Sequence, residues 1–409
     1  MTLPPSQFVR RLRISGGLAA LLLGRFLAVF AAGLFDITLL WLAIETADNV
    51  ETVALVLGLR LLPFIILGVF GGWVGDNLDR RAIIIVAYVV RVAIIAIGMA
   101  ALFYGASAIA VLGVTGFLLT AIRSITSPTI RAIIPQLCSA PHLHRAVSTF
   151  ETLDYAATII APVVGGFALA AFPPLAVFAI IAILFLGAAI ISIALPRRPQ
   201  TRRAPAPLIN DYGSLLVFML RRRTAFVACI AMNTLAIVAV SGAELLMIPI
   251  HTDKMFPDDP ALLGTILSVM ALSGMLGAMT TGLMRTWPQQ ATLYAAWVVY
   301  GISLASFALL ERQSTILFAA AALGYSGAIV DTLLMVMMQR AVSGRHRAKL
   351  LGLMSIVFNL GDVTSLWVTA LVASTFGYPA VFPLAAAITI CIAGSGLWLT
   401  RQEVPRAAP

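Results

Sequence analysis

Apolar positions run in long unbroken stretches along this chain, separated by short polar or charged breaks. A stretch of roughly 18 or more apolar residues can cross the hydrocarbon core of a bilayer as an α-helix. Twelve such stretches fall at about 17–44, 52–74, 82–103, 107–124, 146–171, 174–195, 224–250, 261–284, 291–310, 314–338, 350–374 and 378–400. The breaks after the third and the fifth are very short, which predicts antiparallel neighbours. One break differs in kind. Residues 196–207, Pro-Arg-Arg-Pro-Gln-Thr-Arg-Arg-Ala-Pro-Ala-Pro, read as an extended basic linker. The pattern therefore predicts an all-α integral membrane protein: a six-helix bundle at 1–195, a linker at 196–223 and a second six-helix bundle at 224–409. Two landmarks recur at an offset of 202, Gly72-x-x-Gly75 against Gly274-x-x-Gly277 and His144-Arg145-Ala146 against His346-Arg347-Ala348. A shared offset predicts a parallel repeat, two pseudo-symmetric halves with a site between them.

Composition excludes a soluble domain: 61% of the 409 residues are hydrophobic and 11% charged, with a mean hydropathy of +1.01. The expected surroundings are a lipid bilayer. A net charge of +10 could suggest a nucleic-acid partner, but its distribution argues for no nucleic acid. Of 27 basic residues, 22 fall on one side of the twelve-helix topology, whereas the opposite loops carry Lys254, Arg312 and seven acids. By the positive-inside rule the basic side is cytoplasmic, so both termini are expected inside. The first apolar run is too long for a cleaved leader and carries Arg25 and Asp36, so it reads as a retained helix. Cys138, Cys229 and Cys391 are far apart and show no metal spacing, and His142-x-His144 reads as loop. With no nucleophile–base pair, metal motif or phosphate loop, no enzyme and no cofactor is expected.

Nine charged residues fall inside the spans away from their last residues: Arg25, Asp36, Arg60, Arg91, Glu151, Asp154, Glu244, Asp331 and Asp362. Such charges are expensive in a bilayer and face protein or a wet cavity. Several form helical stripes: Arg25 with Asp36, then Glu151, Asp154 and Thr158, then Ser355, Asn359 and Asp362, then Asn233 with Glu244. Stripes on several helices predict a water-accessible central cavity. Candidate substrate contacts are Arg25, Arg60, Arg91, Asn233, Asp331, Asn359 and Asp362; Glu244, near a helix end, reads as a gate or a staple. Three intramembrane arginines cannot shed their protons. They predict an anionic or zwitterionic substrate, unless Arg60 and Arg91 only bind carbonyls and helix ends. A proton carrier needs a titrating carboxyl group, for which Asp36 is the first candidate and Glu151 and Asp154 the next.

Between the second and third runs stands Gly72-Trp73-Val74-Gly75-Asp76-Asn77-Leu78-Asp79-Arg80-Arg81. This loop resembles the signature of the major facilitator superfamily of secondary transporters, Gly-x-x-x-Asp-x-x-Gly-Arg-Arg, with Asp79 where glycine is commonest. In the fifth run, Ala157-x-x-x-Ala161-Pro162-x-x-Gly165-Gly166 resembles the antiporter motif of drug–proton exporters, with alanine for both leading glycines. Gly24-Arg25, Arg60-x-x-Pro63, Arg91, Ser127-Pro128, Ile134-Pro135 and Arg345-x-Arg347 resemble one bacterial branch, that of the enterobactin exporter and the macrolide-efflux proteins. The resemblance implies the major facilitator fold, a monomer in the inner membrane, alternating access, and proton-coupled efflux of a siderophore or drug-like molecule. It also implies gating by Gly72, Gly75, Asp76, Asp79, Arg80, Arg81, Pro162, Gly165 and Gly166, with Asp76 meeting the start of helix 11. A lysophospholipid flippase of the same superfamily, or a membrane sensor or scaffold, remain as alternatives.

Overall fold

The computed structural model describes residues 16–67, 78–196, 224–284, 287–341 and 344–402. They form twelve long helices and no strand. The first six are α1 (Gly16–Thr46), α2 (Val50–Leu67), α3 (Arg80–Phe103), α4 (Ala108–Leu137), α5 (Leu143–Ala171) and α6 (Pro174–Ser192). The seventh rod, α7, joins Thr224–Gly242 through a π turn, Ala243–Met247, to Ile248–Met255. Then follow α8 (Pro260–Thr281), α9 (Gln289–Ser306), α10 (Gln313–Ala341), α11 (Gly344–Phe376) and α12 (Tyr378–Gln402). Eleven of the twelve are long and apolar enough to cross a membrane. The exception is α9, whose 18 residues open on Gln289-Gln290 and include Thr292, Tyr294 and Tyr300. This is a multi-pass membrane protein.

The expected end of the fourth span is corrected. Pro128 and Pro135 do not end α4, which continues to Leu137. A proline forfeits one backbone hydrogen bond, and a membrane helix tolerates that where neighbours satisfy the freed carbonyl. Arg131 therefore sits inside α4 and not in a loop, and Arg123 lies at the middle of the helix and not at its end. The seventh span also runs further than expected, to Met255, which places Glu244 deeper.

The packing is pseudo-symmetric. In the first half α1 packs on α5 and α6, α2 on α4, and α3 on α4 and α6. Adding six to every number reproduces the second half: α7 on α11 and α12, α8 on α10, α9 on α10 and α12. The contacts between halves obey the same rule, α5 against α8 and α11 against α2. Both sit toward the end of the bundle opposite the chain termini, here the far end. There Gly166 lies against the backbone of Pro260 and Ala261, and Gly264 against the carbonyl of Pro162. The Val163 N–H donates to Ser268 Oγ at 3.0 Å, and Gly58 approaches Trp367. Small residues let these helix backbones close to contact, as in other membrane helix pairs.

Candidate functional site

A cavity of about 230 Å³ lies between the halves. Its walls come from α1, α2, α4 and α5 on one side and α7 and α8 on the other. Asp36, Arg60, Arg123 and Thr158 face it from the first half, and Glu244 from the second. Arg60 and Asp36 form an ion pair at 2.5 Å. Arg123 is exposed to the cavity and makes no hydrogen bond or ion pair with any described residue.

A second cavity, about 510 Å³, lies within the second half and meets the first at Glu244 and Leu267, which line both. It is lined by Ser241, Trp297, Tyr300, Asp331 and Asp362 among others. The Tyr300 hydroxyl donates to the Glu244 carboxylate, and the Ser241 hydroxyl to Asp362 at 2.7 Å. Asp331 has no hydrogen-bond or ion-pair partner among the described residues. Glu244 belongs to the π turn of α7, where the Gly242 N–H is taken by Ser365 Oγ of α11 at 2.6 Å. Single π turns in α-helices recur at functional sites because they re-aim one side chain. Glu244, expected as a gate near a helix end, stands instead where the two cavities join.

The remaining intramembrane charges are held within the first half. Arg25 donates three hydrogen bonds to Asp154, at 2.6, 2.9 and 3.1 Å, and lies over the Phe150 ring. Arg131 pairs with Glu151 at 3.4 Å in a much more exposed position. Arg91 is 5% exposed, donates to Thr126 Oγ1 at 3.4 Å and lies between the rings of Tyr88 and Phe185. Asn233 is packed away: it donates to the Cys229 carbonyl and accepts from Trp297 Nε1. Asn359 turns back onto Ser355 of its own helix.

Residues 21–315 match the family model for the Major Facilitator Superfamily. The chain belongs to the Major Facilitator Superfamily. Its relatives include the staphyloferrin A transporter of Staphylococcus aureus, 23% identical over 377 residues, covering 90% of this chain and 92% of the relative. Macrolide efflux protein A of Streptococcus pyogenes is 22% identical over 379 residues, with the same coverage. Both agree with the branch that the sequence resembles. Among solved structures, a mutant of the nucleoside transporter NupG superposes with a TM-score of 0.78 at 14% identity, covering 93% of this chain and 99% of that one. A bacterial homologue of the iron transporter ferroportin, in its inward-facing state, gives 0.72 at 17% identity, covering 95% and 98%. These likenesses confirm the major facilitator fold.

Of the superfamily's signature loop, Gly72, Gly75 and Asp76 lie outside the described residues. Asp79 caps α3, accepting from the Arg81 N–H. Arg80 donates to the Ala132 carbonyl at 2.8 Å and Arg81 to the Ile193 carbonyl at 2.7 Å, tying the loop's end to α4 and to the end of α6. In the antiporter-like motif Gly165 packs on Leu34 and Ile37 of α1, while Pro162 and Gly166 form the seam with α8. Sequence reasoning missed Arg123 as a cavity residue because it stands at the last turn of the expected fourth span, 107–124, and counts there with the basic cytoplasmic side. The helical spacing of Ile130, Ile133, Ile134 and Leu137 was the signal that could have placed it.

Proposed function

We propose that this protein is a secondary exporter in a bacterial inner membrane, with both termini cytoplasmic. It moves a small organic molecule outward in exchange for protons by rocker-switch alternating access, each monomer carrying its own site. The observation that carries this reading is the charged cavity between two pseudo-symmetric halves, closed by α5 on α8 at the far end. In the proposed orientation the far end is the outer face, and the cavity belongs to an inward-facing state. The names of the relatives, a staphyloferrin A transporter and a macrolide efflux protein, support a siderophore or drug-like cargo.

Asp36 is the proposed proton carrier. An arginine keeps its proton, so in the Arg60–Asp36 pair the carboxylate is the group that exchanges one. This pair faces the cavity, whereas Asp154 is enclosed by Arg25 and Glu151 pairs with Arg131 away from it. Arg60 and Arg123 on one wall, and Asp331 and Asp362 beyond the other, are the proposed substrate contacts. The test is purified protein in liposomes, with a pH-sensitive dye trapped inside and an imposed pH gradient. Addition of a carboxylate-bearing siderophore or a macrolide is expected to dissipate the gradient only when the protein is present. A gradient indifferent to both compounds would sink the antiport reading.

A further inference from the structure

The charges around the joined cavities are segregated, and this bears on the chemistry of the cargo. On the first-half wall Asp36 is paired with Arg60, which leaves Arg123, though within the field of Asp36, with no hydrogen bond or ion pair of its own among the described residues. The other guanidiniums of that half are engaged or enclosed: Arg25 by Asp154, Arg91 by Thr126 and two aromatic rings. Across the same cavity stands Glu244, carried by the π turn, and beyond it Asp331 and Asp362. None of these three acids has a cationic partner among the described residues. A guanidinium and carboxylates that lack ion-pair partners, facing one another across a wet cavity, offer opposite poles to a solute that enters it.

We propose that the two joined cavities form one site for a dipolar molecule, its anionic group held by Arg123 and its cationic group by the carboxylates around Glu244. This rests on the carrier reading above and deepens it. A guanidinium presents a planar fork that suits a carboxylate, and the apolar stretch between the poles, with Leu245 and Leu267, suits an uncharged middle. The reading shifts anion recognition from Arg25 and Arg91 to Arg123. It also accounts for the π turn, which aims Glu244 at the junction.

Three related dyes test it: rhodamine B, with a cationic ring system and a free carboxylate; its ethyl ester, which keeps only the cation; and fluorescein, which is only anionic. Binding to the purified protein in lipid nanodiscs is read by fluorescence anisotropy. Rhodamine B should bind roughly tenfold or more tightly than either of the others, the worth of one charge-assisted hydrogen bond. Arg123→Gln should bring rhodamine B down to the level of its ester, with Arg123→Lys intermediate. Asp331→Asn with Asp362→Asn should weaken the two cationic dyes and leave fluorescein unchanged. Equal binding of rhodamine B and its ester, absence of rhodamine B binding, or indifference to Arg123→Gln overturns the dipolar site. Uptake of the ester by everted vesicles under a pH gradient, with no preference for rhodamine B, would leave the carrier reading standing while the dipolar site falls.

Discussion

At the residue scale, two ion pairs in one half differ in environment and so in worth. Arg25 and Asp154 are 11% and 14% exposed, while Arg131 and Glu151 are 60% and 37% exposed. Removing one member of an enclosed pair strands the other, so Asp154→Ala should cost about 3–5 kcal/mol of stability. Arg131→Ala should cost at most about 1 kcal/mol, because water already screens that pair. Unfolding of detergent-solubilised variants followed by circular dichroism checks both; equal losses would contradict the distinction. The double change Arg25→Met with Asp154→Leu should recover most of the loss, since neither charge is then left alone. Asp36→Asn tests function: it should abolish gradient-driven export while leaving substrate exchange at equal pH. Normal gradient-driven export in that variant would place the proton elsewhere. These pairings were not legible in the sequence. Arg25 and Asp154 are 129 residues apart, and a helical stripe shows which residues share a face without showing what faces them.

At the element scale the seam between α5 and α8 carries the account. Gly166 meets the backbone of Pro260 and Ala261, which cannot step aside as a flexible side chain could. A branched side chain there overpacks the seam, at about 1–3 kcal/mol. Gly166→Val should therefore shift the population away from the far-end-closed state by about fivefold or more. Maleimide labelling of a single cysteine at position 261, in a background without the native cysteines, reads the shift; labelling unchanged from the Gly166 parent would contradict the seam's role. The sequence revealed the motif Pro162-x-x-Gly165-Gly166 but not its division of labour. Gly165 admits α1 of its own half, and Gly166 admits α8 of the other. Helix limits were legible to within a few residues where apolar runs stop at charge or glycine. They were not at α4, where the helix passes through Pro128 and Pro135, or at α7, where the π turn lies inside a longer rod.

At the scale of the whole molecule, hydropathy and the positive charge bias carried most of the fold, because a bilayer leaves few solutions for a chain this apolar. The central cavity was foreseeable from polar stripes on several helices, but its two-chambered form was not, since it depends on how α7 and α11 meet at Gly242 and Ser365. A green fluorescent protein fused at the C-terminus should fluoresce, because the account places that end in the cytoplasm; a dark but stably expressed fusion would reverse the orientation. The central claim is that cargo passes through the cavity between the halves and leaves only when the far end opens. Its most direct test joins the seam covalently. With Val163→Cys and Ser268→Cys, two positions that already touch across the seam, in a background lacking the native cysteines, oxidation should form a disulfide between α5 and α8. Gradient-driven transport in liposomes should then stop, and a reductant should restore it. Transport continuing at the uncross-linked rate, with disulfide formation complete by mass spectrometry, would contradict the account.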